Sequence, residues 1–148
     1  MTKKLYLKHK IFNLLMINGN KETCENIFLK SSKLLQKSLI KNNKEVLKIG
    51  IINSSPVVNI KQVRLKKGKK KNVKKYPFVL GPENRISLAI KFILETVKQK
   101  EKKSFYLYAN LKQEIEANSQ NYSSAVKRKD NLQKDALLNK KYAYYRWF

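Results

Sequence analysis

The sequence predicts a mainly α-helical domain of six helices, with a two-stranded β-ribbon protruding between the third and fourth. Three observations support this. Apolar residues recur at helical spacing along most of the chain. The pattern changes to strand-like alternation only around residues 56–82, a stretch bounded by Pro56 and by Gly81-Pro82. With 148 residues, 42% of them hydrophobic, there is enough for one modest core, so residues 1–148 are expected to form a single domain.

Leu7, Ile11, Leu14 and Leu15 define the first helix, and Asn18-Gly19-Asn20 ends it. Asn20 suits the cap of a second helix, Glu22 in its first turn complements the helix dipole, and Cys24, Ile27, Phe28, Leu34 and Leu35 form its apolar stripe. Cys24 is thereby a core position. A shorter third helix runs from about Lys44 to Asn53 with Val46, Leu47, Gly50 and Ile51 inward, until Ser54-Ser55-Pro56 breaks it.

Residues 57–65 and 73–80 are rich in β-branched and aromatic residues and mostly alternate, so each reads as a strand. Pro77 cannot donate to a ladder, which fits a free ribbon in which both strands are edges. From Lys61 to Lys75 there are nine Lys or Arg residues and no acid. Charges that close repel within a screening length of about 8 Å at physiological salt, and an anionic partner relieves the repulsion.

Pro82 stands at the first position of the fourth helix, where its missing N–H is harmless. Ile86, Ala89, Ile90, Ile93, Leu94 and Val97 then hold one face over four turns, with Arg85, Leu88 and Phe92 as a flanking row. Ser104 can cap a fifth helix carrying Tyr108, Leu111 and Ile115 on one face, and Asn118 to Asn121 reads as a polar break. The sixth helix, roughly Ser123 to Lys141, has only a thin stripe of Ala125, Leu132 and Ala136 among many cations, so an external surface is expected to hold it. Five of the chain's 15 aromatics fall in its last seven residues, interleaved with Arg146. Such residues stack on bases and pair with phosphates, or alternatively Tyr142 and Trp147 pack the tail onto the helices.

A net charge of +24 points to a polyanion, nucleic acid first, and its spread over nearly the whole chain suits a large polynucleotide surface. Cys24 is the only thiol and His9 the only imidazole, so no disulfide or Cys/His zinc site is expected, and no cofactor is implied. His9 suits a helix-surface or RNA contact. The longest nearly unbroken apolar run, Ile11 to Ile17, is too short to span a bilayer, and no membrane role is expected. Ten carboxylates lie scattered singly. Glu114 and Glu116 face different directions on a helix and read as solvated acids, while Asp130 and Asp135 read as intrahelical partners of neighbouring lysines. The four glycines are isolated and form no phosphate loop. An enzyme is therefore not expected.

The order of features resembles small-subunit ribosomal protein seven of the bacterial and organellar type over nearly the whole chain. Asn13-Leu14-Leu15-Met16-Ile17-Asn18-Gly19 with Lys21 is similar to that family's Asn-x-Leu-Met-x-x-Gly-Lys-Lys segment. Residues 56–61, through Arg64, resemble its Pro-x-Val-x-Val-Lys approach to the hairpin, and Arg85-x-x-Leu88-Ala89 resembles the opening of its fourth helix, with Phe92 where tryptophan is usual. Ala125 to Asp130, Asn139-Lys140 and Tyr142 to Trp147 keep the family's spacing without a gap. The sequence departs from the family at the hairpin, where Lys67-Gly68 replaces Gly-Gly and the return is reduced to Tyr76-Pro77. It departs also at Asn20, which stands for a lysine.

The resemblance implies six helices with a ribbon between the third and fourth, and binding to the 3′ major domain of small-subunit ribosomal RNA, nucleating assembly of the subunit head. It implies small-subunit protein eleven as a neighbour, and a ribbon near the messenger exit channel and the exit site for transfer RNA. Candidate RNA-binding residues are Lys3, Lys4, Lys8 and Lys10 on the first helix, Lys21, and Lys61, Arg64, Lys66, Lys67, Lys69, Lys70, Lys71, Lys74 and Lys75 on the ribbon. Arg85 and the final helix and tail, with Lys127, Arg128, Lys129, Arg146 and Trp147, complete the set. A composition of 30 Lys against 4 Arg with 15 Asn, a first helix close to Met1 and no presequence suggest a mitochondrion-encoded version, with another organelle or a bacterial cytoplasm as the alternative. The rival function, a sequence-specific DNA-binding regulator, calls for a helix pair with a short turn and a symmetric dimer surface, and no obvious such pair is present.

Overall fold

The computed structural model describes the backbone of residues 3–38, 42–67, 70–101 and 106–144, and side chains within 7–38, 42–63, 73–100 and 106–144. Six α-helices and one antiparallel strand pair follow the predicted order. They are α1 (Lys3–Leu15), α2 (Lys21–Ser38), α3 (Asn43–Ser54), β1 (Val58–Lys67), β2 (Lys70–Val79), α4 (Pro82–Glu101), α5 (Leu107–Ser119) and α6 (Ser124–Leu138), followed by a 3-10 turn, Lys140–Tyr142. Asn18 and Gly19, both left-handed with φ of 54° and 78°, turn the chain from α1 into α2. Asn42 accepts from the Lys44 N–H to cap α3, and Ser123 accepts from the Val126 N–H to cap α6.

The predicted stripe of α4 is the centre of the core: Ala89, Ile90, Ile93, Leu94 and Val97 are buried against Ile11 and Leu15 of α1, Val46 and Ile51 of α3, and Leu111 and Ile115 of α5. Burying each large aliphatic side chain stabilises the fold by about 1.5–3 kcal/mol before entropy is counted. Gly50 lets α3 approach α5 closely, because an added Cβ would lie 3.3 Å from the Ile115 carbonyl oxygen and 3.4 Å from the Asn118 Cβ.

Three expectations change. Glu114 is not a solvated acid: it is fully buried, its Oε2 lies 2.7 Å from the Lys100 ammonium, and its Oε1 has no partner among the described residues. Asn110, Glu114 and Asn118 recur at i, i+4 beside the apolar stripe of α5, so helix geometry carries them inward together. Asn118 is accordingly a buried helical residue and not the start of a break; the break comes at Gln120 and at Asn121, whose φ is 64°. Finally, α6 stops at Leu138 rather than Lys141, because the Asn139 side chain donates to the Asp135 carbonyl and the chain tightens into the 3-10 turn. Ser104, expected to cap α5, lies outside the described residues; α5 starts after Tyr106, which makes no side-chain cap bond.

Candidate nucleic-acid interface

The ribbon runs in one unbroken register from Val58 opposite Val79 to Lys67 opposite Lys70, with Lys66 across from Lys71 near its far end. Both strands are edges, as Pro77 requires, and Pro77 pairs with Ile60. The base of the ribbon is not free. β1 packs against α6, and β2 against the 3-10 turn. Tyr76 is buried, and its ring meets that of Tyr142 edge-on at 5.6 Å and 65°. Lys74 and Lys141 hold their ammonium groups 5.9 and 5.1 Å from the Tyr142 ring centre. Tyr142 thus packs against the ribbon base, a partner that the expected packing of the tail onto the helices did not name.

Asp135 pairs with Lys75 on β2 at 2.8 Å and not within its own helix, because the ribbon base passes beside the end of α6. Asp130 lies 3.7 Å from the adjacent Lys129.

α6 is aimed by polar contacts at its start. Asn53, at the end of α3, donates from Nδ2 to the Asn118 and Ser119 carbonyls at 3.0 and 3.2 Å, and its own carbonyl accepts from Lys129 at 2.7 Å. The Ser123 hydroxyl donates to Asn118 Oδ1 at 2.6 Å. One turn along, Arg128 donates to Glu95 of α4. A cation placed against the carbonyl end of α3 also complements that helix's dipole.

The candidate cations therefore divide. Lys75, Arg128 and Lys129 close contacts within the chain, as does Lys10, whose ammonium donates to the Glu83 carbonyl at 3.0 Å and ties α1 to the start of α4. Lys8, Lys21, Lys61, Lys74 and Lys127 are exposed; of these Lys21 lies 4.0 Å from Glu25, and Lys8 and Lys74 sit over the Phe12 and Tyr142 rings. Arg85 is half-buried, and its Nε is buried with no partner among the described residues. Lys3 and Lys4 lie in the first turn of α1, Arg64, Lys66 and Lys67 in β1, and Lys70 and Lys71 in β2. Lys69, Arg146 and Trp147 lie outside the described residues.

Lys134, Lys140 and Lys141 are exposed beside this group and were not singled out from the sequence. The signal for Lys134 was its place seven residues after Lys127, two turns along one face of α6. Among the described residues no three His, Cys, Asp or Glu side chains gather to hold a metal ion, and no helix is long and apolar enough to cross a membrane. The arrangement is that of a cationic surface, and its chemistry is charge neutralisation.

The family described as Ribosomal protein S7p/S5e matches residues 2–140. The small ribosomal subunit protein uS7 of Wigglesworthia glossinidia brevipalpis is 30% identical over 138 residues, covering 93% of this chain and 85% of that protein. The protein of the same name from Buchnera aphidicola subsp. Baizongia pistaciae (strain Bp) is 29% identical over the same length and shares of coverage. With a match of that extent over a helical fold carrying its ribbon between α3 and α4, the chain belongs to the ribosomal protein S7p/S5e family and is a structural, non-enzymatic protein of the small ribosomal subunit.

Proposed function

We propose that the chain acts as one RNA-binding domain over residues 1–148, binds the 3′ major domain of small-subunit ribosomal RNA, and nucleates assembly of the subunit head. The observation behind this reading is the ribbon, nine cations from Lys61 to Lys75 without an acid, rising from a base fixed to α6, whose own exposed Lys127 and Lys134 extend the positive surface. Phosphate neutralisation by such groups gives affinity that is largely independent of sequence. By holding an RNA junction in one fold, the chain prepares the surface that later proteins join.

The ribbon would reach toward the messenger exit channel and the exit site for transfer RNA, with small-subunit protein eleven as a neighbour. The setting we favour is a mitochondrial ribosome, on the strength of 30 Lys against 4 Arg and 15 Asn. The relatives named above are bacterial, and a bacterial cytoplasm is the alternative.

The test is binding of the purified protein to transcribed 3′ major-domain RNA at several salt concentrations, with excess bulk transfer RNA as competitor. Binding that survives the competitor and weakens steeply with salt is expected. Binding abolished by the competitor would reduce the chain to a generic polycation and overturn the assembly role.

A further inference from the structure

We propose that the groove between α1, α2 and α3 is a docking site for an acidic, apolar-anchored peptide segment of a neighbouring protein. The groove has a volume of about 460 Å³. Leu7, Ile11, Phe28, Leu35 and Leu47 form its walls, and Ile115 of α5 also lines it. Leu29 stands at its lip with 47% of its surface exposed. Lys8, Lys44 and Lys48 line it as well, all exposed, and no acidic residue does among the described residues.

The polar groups narrow the choice of occupant. Asn43 lines the groove and is 8% exposed. Its Nδ2 donates to the carbonyl and hydroxyl of Ser32, while its Oδ1 is buried with no partner among the described residues. An oxygen closed to solvent receives no donor from the groove, so the choice of occupant rests on the apolar walls and the lysines. A nucleotide gains little here. Among the described residues the walls are almost wholly aliphatic and the one ring, Phe28, already meets Phe12 edge-on at 5.5 Å, so a base entering the groove would lose its hydrogen bonds to water for little stacking in return. A peptide answers both remaining features, with aliphatic side chains for the walls and carboxylates for the three lysines. On a chain of net charge +24, acidity in the partner also favours encounter.

Among the described residues neither the ribbon nor α6 lines the groove, and of the RNA-binding candidates Lys8 alone does, so the test rests on Leu29, Lys44 and Lys48 instead. The test places a photoreactive benzophenone amino acid at position 29 in small subunits assembled with this protein, followed by irradiation, nuclease and trypsin digestion, and mass spectrometry. The expected product is an adduct with a peptide of another protein in which aliphatic residues flank Asp or Glu. Its yield should fall at least about five-fold when Lys44→Glu and Lys48→Glu are combined, since both positions are exposed and the rim charge is then reversed. An adduct to RNA, an adduct within the same chain, no adduct, or a yield indifferent to the charge reversal would each overturn the proposal. A benzophenone at position 127 in parallel subunits reports on the RNA reading separately.

Discussion

The Lys75 ammonium lies 2.8 Å from Asp135 Oδ2, joining the ribbon to the end of α6 across 60 residues of sequence. Both side chains are more than a third exposed, at 38% and 47%, so the pair contributes no more than about 1 kcal/mol and its effect is positional. Asp135→Asn should leave the unfolding midpoint nearly unchanged while amide hydrogen exchange quickens in β2 around Lys74 to Phe78. Unchanged protection there would mean that the packing of β1 on α6 and the Tyr76–Tyr142 contact hold the ribbon without the ion pair.

Glu114 presents the opposite case, a fully buried carboxylate held by a half-exposed lysine. Removing the ammonium strands the charge inside. Lys100→Ala should cost about 2–3 kcal/mol by urea denaturation with an unchanged slope. The double variant Lys100→Met with Glu114→Leu should recover most of that loss, because an apolar side chain replaces the desolvated carboxylate and leaves no buried charge behind.

Gly50→Ala places a methyl group 3.3 Å from a backbone oxygen of α5 that cannot rotate away. α3 must then shift, and a loss of about 1–3 kcal/mol is expected from denaturation. A gain in stability would show that the two helices separate more easily than their packing implies.

Two neighbouring lysines should respond differently. Lys127 is exposed, and Lys127→Ala is expected to lower the slope of log affinity against log salt for 3′ major-domain RNA by about one unit while leaving stability intact. Lys129 is bound to the Asn53 carbonyl, and Lys129→Ala should destabilise the fold by about 1 kcal/mol. Equal slope changes for both would show that the Asn53 contact opens when RNA binds.

The elements that the sequence revealed were those governed by local pattern. The stripe from Ile86 to Val97 repeats at helical spacing, and Pro56, Pro77 and Gly81-Pro82 punctuate the ribbon, so α4 and the strand pair were readable from residues near one another. The partners of Glu114, Asp135 and Arg128 were not, since Lys100, Lys75 and Glu95 lie 14, 60 and 33 residues away and a charged residue looks the same whether it faces solvent or a distant helix. For the same reason a count of cations could not separate Lys129, turned toward α3, from exposed Lys127. The groove is not legible in the sequence because its lining comes from four helices, α1, α2, α3 and α5, which no single period records.

The junction at Asn53 also bears on kinetics. Since Lys129, Ser123 and Asn118 fix the start of α6 within the free chain, the entropy of orienting that helix belongs to folding and not to association. Under the proposed RNA-binding function, an approaching polyanion would thus meet a preorganised row of charge. Its capture rate would then be governed by long-range steering, fast at low ionic strength and slowed by salt, with no search for a bound conformation at this helix.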